Sequence, residues 1–136
     1  LTSWEGTLFN PDPGAYLPHR PPFLFLDRIT RLEPGVSATA LQRVTSDAPQ
    51  GSQFYFVEAI AQLGGIAAGR EEGGGGILAA IDRAEFHGSA VAGDELIISV
   101  RIVKSFAQLH LVEGEVSKAG DTVATAAVVL KVGIMP

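Results

Sequence analysis

A chain of 136 residues has enough length to bury one core and too little for two comfortable ones, so a single domain over residues 1–136 is expected. A formal charge of −5, with no cluster of Lys and Arg to neutralise a phosphate backbone, excludes general nucleic-acid binding. No apolar run reaches the roughly 18 to 20 residues of a membrane-spanning helix. The lack of cysteine removes disulfides and thiolate metal ligands, and no signal-peptide pattern opens the sequence, so a cytoplasmic location is expected.

Residues 1–16 mix turn formers with isolated apolar side chains, including "NPDPG", and read as an irregular lead-in or a short helix. "FLFLDRITRLEPG" is then a β-prone run closed by Pro34-Gly35. "VSATALQRVTS" alternates Ala38, Ala40, Gln42 and Val44 against Thr39, Leu41, Arg43 and Thr45, as a half-covered strand does. The two form a predicted hairpin. From about Phe54 to Arg70 the period becomes helical, with Phe54, Val57, Ala61, Gly65 and Ala68 on one stripe and further apolar residues around the rest. A helix apolar nearly all round is a buried helix. "EEGGGG" reads as a flexible linker. Four strands follow, "GILAAIDRAEF", "LIISVRIVKSF", "LHLVEGEVSKAGD" and "TVATAAVVLKV", with Leu96, Ile98, Val100 and Ile102 on one face and a tight turn at "KAGD". Short turns there predict an antiparallel meander. The order of elements predicts an α+β fold, a curved antiparallel sheet wrapped around one long helix whose remaining side meets a second subunit.

Inside the apolar stretch "QFYFVEAIAQLGGIAAG" stand Glu58 and, one turn later, Gln62. Buried carboxylates are rare without compensation, so Glu58 is the first candidate for chemistry and Gln62 for orienting it or a ligand. A position near the helix start predicts that the dipole and the free N–H groups offset the charge on Glu58 or orient a substrate carbonyl. Gly64 and Gly65 are expected to let the helix approach a neighbour closely. No ligand set at metal spacing occurs, and no cofactor is implied.

Three motifs resemble the FabZ/FabA-like 3-hydroxyacyl-acyl-carrier-protein dehydratases of the hotdog fold: "LPHRPPFLFLDRI", "VEAIAQLGG" and "AAIDRAEFHGSAVAGDEL", in that order between about Leu17 and Val132. The resemblance implies a dimer whose interfacial sites receive an acyl chain held as a thioester on acyl carrier protein or coenzyme A. It aligns Glu58 with the catalytic carboxylate of the central helix, puts Gln62, Arg20 and Phe23 against the substrate, and gives Arg20 or Arg28 to the pantetheine phosphate. The chain departs from the family where a "GHFPxxPxxPG" segment carries the base: "DAPQGSQFYFVE" is shorter and has no histidine, and Ser52 stands nearest to the missing one. A serine without a base accepts no proton at neutral pH. His19, in the first motif, is the remaining candidate for the second catalytic group; His87 and His110 read as an exposed turn residue and a structural strand residue, and Asp27 with Arg28 as a local polar pair. "FHGSAVAGD" also lacks the basic residues and prolines that the family commonly has there, which weakens a carrier-protein dock at that edge. Three activities are compatible with these residues: dehydration, thioester hydrolysis by one helix carboxylate, or a non-catalytic subunit that completes the site of a hotdog partner.

Overall fold

Alternation in the strands decides which side of the sheet the helix occupies. The computed structural model describes residues 9–17, 24–45, 53–69 and 77–132. A short 3-10 turn, Pro13–Ala15, is followed by β1 (Arg28–Glu33), β2 (Ser37–Arg43), α1 (Phe54–Ala68), β3 (Ile77–Phe86), β4 (Glu95–Phe106), β5 (Leu109–Lys118) and β6 (Asp121–Lys131). The strands form one antiparallel sheet in the order β1-β2-β4-β5-β6-β3. Ala38 and Ala40, then Leu96, Ile98 and Val100, then Val112 and Val116, then Ala124, Ala126 and Val128 are all buried and belong to one core. Breaks of register in β1, β3, β4 and the β5–β6 pair mark places where strands bend, which lets the sheet curve about α1. This is the α+β, single-helix hotdog arrangement that the element order predicts.

The central row of the sheet sets how close the helix lies. Gly114 of β5 is flanked by Val100 and Ala126, and a Cβ at Gly114 would stand 2.5 Å from Ile60 Cγ2. Ile60 therefore fills the space that a side chain on β5 would take. One turn along, a Cβ on Gly64 would meet Leu130 Cδ1 at 2.9 Å and Val112 Cγ1 at 3.1 Å, so the expected close approach at Gly64 is made to the sheet.

Burial of α1 runs from Phe56 to Ala68, interrupted only by Glu58. The helix stops at Ala68 rather than Arg70: Gly69 turns extended, its N–H going to Gly65 O, while the Ala67 carbonyl accepts Gly35 N–H at 2.8 Å. Gly35 reaches it from the β1–β2 turn with φ +79°, a conformation that favours glycine. An orphan carbonyl of the helix end is thereby satisfied by the first hairpin. The "EEGGGG" segment lies outside the described residues.

Two expectations need correction. The strands after the helix are not a simple meander, because β2 pairs along its whole length with β4, leaving β3 to cross to the far side of β6. Residues 87–94 make that crossing, with His87 and Gly88 N–H on Val123 O at one end and Val44 and Gly93 or Asp94 exchanging backbone bonds at the other. The first strand also begins late, at Arg28. Upstream of it, the Phe25 N–H goes to a side chain of α1 instead of a neighbouring strand.

Candidate active site

Glu58 is the fifth residue of α1, and no acidic residue lies in the first turn. Only the first four N–H groups of a helix lack intrahelical partners, and the dipole effect fades beyond the first turn. The expected compensation by the helix start therefore does not apply to Glu58. A side chain supplies a donor instead.

That side chain is Gln62, one turn along the same face. It is 3% exposed, the only buried polar residue among those described. Its Nε2 donates to Glu58 Oε1 at 3.1 Å, and its Oε1 accepts the Phe25 N–H at 2.9 Å. Both ends of the amide are thus engaged, as burial demands of a polar group. Glu58 itself is half-buried, with its carboxyl group held from one side by the amide. Phe25 is fixed a second time by its ring, which packs against Tyr55 with centroids 5.1 Å apart. Tyr55 lies one turn before Glu58, so the segment preceding β1 and the opening of α1 hold one another around the carboxyl group.

The other candidates divide clearly. His19, Arg20, Phe23 and Ser52 lie outside the described residues. Asp27 does not pair with Arg28; its Oδ2 accepts the Arg43 N–H across the first hairpin. His87 is exposed and His110 sits on β5 with its Nδ1 2.7 Å from Ser105 Oγ, at the end of the sheet formed by the β4–β5 turn. Gly64 and Gly65 are buried in the helix, and Gly64 meets the sheet as described. Among the described residues no three His, Asp or Glu side chains gather as metal ligands.

Sequence reasoning passed over two contributors. The Phe25 backbone N–H carries no signature in a sequence, since any residue but proline offers it. Gly114 did leave one: an isolated glycine within the strand pattern "LVEGEVSK" marks a close backbone approach. The Gly-Asp of "VAGDEL" also has a structural explanation. Asp94 Oδ2 accepts the Val91 N–H at 2.8 Å and Lys118 Nζ at 3.3 Å, and Lys118 Nζ donates as well to Ser89 O. The Val91 N–H first, and Lys118 after it, hold the Asp94 carboxyl below its ordinary value. These bonds tie the crossing segment to the end of β5. A hollow of about 350 Å3, lined by Arg83, Arg101 and Glu113, opens on the outer face of the sheet, away from α1 and Glu58.

Comparison with known proteins gives consistent matches. The family model described as "Thioesterase superfamily" matches residues 56–131, from the first buried turn of α1 to the end of β6. The 3-hydroxyacyl-[acyl-carrier-protein] dehydratase FabZ of Caldanaerobacter subterraneus is 38% identical over 131 residues, covering 87% of this chain and 92% of that protein. FabZ of Listeria monocytogenes is 31% identical over 133 residues, covering 88% and 92%. Among solved structures, the dehydratase heterocomplex ApeI:P from Xenorhabdus doucetiae superposes with a TM-score of 0.74 at 18% identity, covering 90% of this chain and 91% of that one. A hypothetical thioesterase protein with coenzyme A from Streptococcus pneumoniae gives 0.62 at 14% identity, over 77% and 84%. At such identities the two structures speak for the fold.

Proposed function

We propose, for a chain that belongs to the Thioesterase superfamily and to its FabZ-like dehydratases, that it removes water from a 3-hydroxyacyl thioester carried on acyl carrier protein or coenzyme A. The observation that carries this reading is the half-buried Glu58, presented by the central helix and held by Gln62, in a chain more than 30% identical to FabZ proteins along most of its length. In the reaction a base takes the α-proton, the electron pair of that C–H bond becomes the Cα=Cβ double bond, and the C–O bond breaks. Glu58 gives the departing hydroxyl its proton, so that it leaves as water. Backbone N–H groups that polarise the thioester carbonyl would stabilise the enolate-like charge. His19 of the same chain, or a group from another subunit, is the base in this scheme, and Gln62, Arg20 and Phe23 line the substrate.

A second reading has a specific observation in its favour. Residues 46–57 hold no histidine, and hydrolysis of a thioester by water that Glu58 activates needs none. A third follows from the same gap: a hotdog subunit of another sequence supplies the histidine, and this chain supplies Glu58. That the ApeI:P neighbour is a heterocomplex supports this as a form of assembly.

One set of assays separates the three. The purified chain is given a 3-hydroxyacyl thioester and a saturated acyl thioester, and the enoyl product and free thiol are both followed. Enoyl product from the chain alone supports dehydration. Free thiol from both substrates without enoyl product replaces it with hydrolysis. Activity that appears only on co-expression with a histidine-bearing hotdog protein assigns the chain to a shared site.

A further inference from the structure

We infer that the end of the sheet formed by the β4–β5 hairpin is a docking surface for an anionic lipid bilayer, on which the chain adsorbs without crossing it. Strand pairing builds this surface. Lys104 stands opposite Leu111 and Phe106 opposite Leu109, while Leu111 and Leu109 stand opposite Val129 and Lys131 of β6. Residues paired across strands share a face, and Val112 and Leu130, one position along, are turned into the core. The six therefore lie together on the outer face, away from α1. Phe106 is 76% exposed, more than any other large apolar side chain among the described residues, and Leu109 is 43% exposed. Apolar side chains gathered in solvent at one place mark a contact surface.

Charge says what the surface meets. Lys104 and Lys131 are two of the three lysines in a chain of net charge −5, both exposed and neither with an ion pair among the described residues. No Asp or Glu occurs from Arg101 to Val112. The next acid along β5, Glu113, is shared between Arg83 and Arg101, and β3 has none before Asp82. The counterpart is therefore anionic as well as apolar, and like charge argues against a second copy docking tip to tip. Shape decides between a bilayer and a protein. Ala107 and Gln108 make a two-residue turn, Ala107 with φ 55°, and Gln108 O accepts the Val132 N–H at 2.8 Å, which ties the projecting tip to the end of β6. Such a projection offers no groove to a helix. It offers little to an added strand, because a register break between Ile102 and Lys104, and the lysine itself, blunt β4 beyond its pairing with β2. An aromatic ring on a stiff tip between lysines suits an interface whose headgroups are negative and whose interior yields to the ring.

Vesicle sedimentation of the 136-residue chain at low ionic strength tests this. Sucrose-loaded vesicles of phosphatidylcholine and phosphatidylglycerol in equal parts should carry the chain down, and vesicles of phosphatidylcholine alone should leave it in solution. Lys104→Gln and Lys131→Gln should each weaken binding about fivefold, Phe106→Ser should weaken it on the order of 10-fold, and added salt should release the protein. Ile97→Ser removes an apolar side chain, 42% exposed on the same face near the other end of β4, and should bind as the wild type does. In a Trp4→Phe background, which removes the chain's own tryptophan, Phe106→Trp should shift its emission to the blue on the anionic vesicles alone. Equal sedimentation with both kinds of vesicle, a Phe106→Ser protein that binds as the wild type does, or an emission that does not move overturns the proposal. So does a chain that pellets with neither. If Phe106→Ser then breaks up an oligomer, or abolishes capture by an immobilised peptide of alternating Glu and Leu, the occupant is a second copy or an acidic protein segment instead. None of these results depends on whether the chain turns over a thioester.

Discussion

At Gly114 the sheet omits a side chain and Ile60 occupies the space, two residues from both Glu58 and Gln62. A Cβ there would stand 2.5 Å from Ile60 Cγ2 and 3.1 Å from Val100 Cγ1, so Gly114→Ala must push α1 off the sheet. Overpacking of this kind costs about 1–3 kcal/mol. Gly64→Ala meets mainly the end of a leucine side chain, Leu130 Cδ1 at 2.9 Å, and gains about 1 kcal/mol in helix propensity. Urea unfolding should therefore rank Gly114→Ala well below Gly64→Ala in stability; equal midpoints would contradict the packing account. What was legible in the sequence follows the same line. Glu58 and Gln62 stood out because polar residues in an apolar helix need partners, and Gly64 because glycine is costly in a helix. The partner of Gln62 was hidden, since Phe25 contributes a backbone atom and lies 37 positions away in sequence.

The strands and the helix were readable from local period, and the departures arose where pairing is not local. The turn at "KAGD" is the two-residue connection of β5 to β6, with Ala119 at φ 51° and Gly120 at φ 88°. Glycine takes such a conformation freely, whereas alanine pays roughly 1–2 kcal/mol for it. Asn-Gly is the favoured pair for a hairpin with both central φ values positive. Ala119→Asn is expected to raise stability by about 1 kcal/mol, seen as a higher thermal midpoint with kcat untouched; an unchanged or lower midpoint would contradict the strain at this turn. The position of β3 was not legible in the same way. Its period marks it as a strand, but its neighbour β6 begins 35 residues after β3 ends. Its own sequence does not say that β2 has already taken β4 along its full length.

As a whole the sheet ends in two unlike edges. β1 has six residues, while β3 has ten and exposes Ile77, Ile81 and Phe86. A long apolar edge strand is a pairing template unless something covers it. We propose that β3 is the edge at which two copies, or this chain and another hotdog subunit, join. Sedimentation of the 14.2 kDa chain should then give a dimer, and Ile81→Lys, at a residue 45% exposed, should move it toward monomer with secondary structure kept. A wild-type monomer with no affinity for a second subunit would contradict this. No described helix is long and apolar enough to cross a membrane. The helix that the sheet encloses has one acidic side chain, Glu58.

The most direct measurement is the steady-state rate of enoyl-thioester formation by the wild-type chain and by Glu58→Gln, under the same conditions and with any required partner present. A fall of about 100-fold or more in kcat, in a variant that still folds and assembles, is the predicted result. A Glu58→Gln protein that forms enoyl product at the wild-type rate would contradict it.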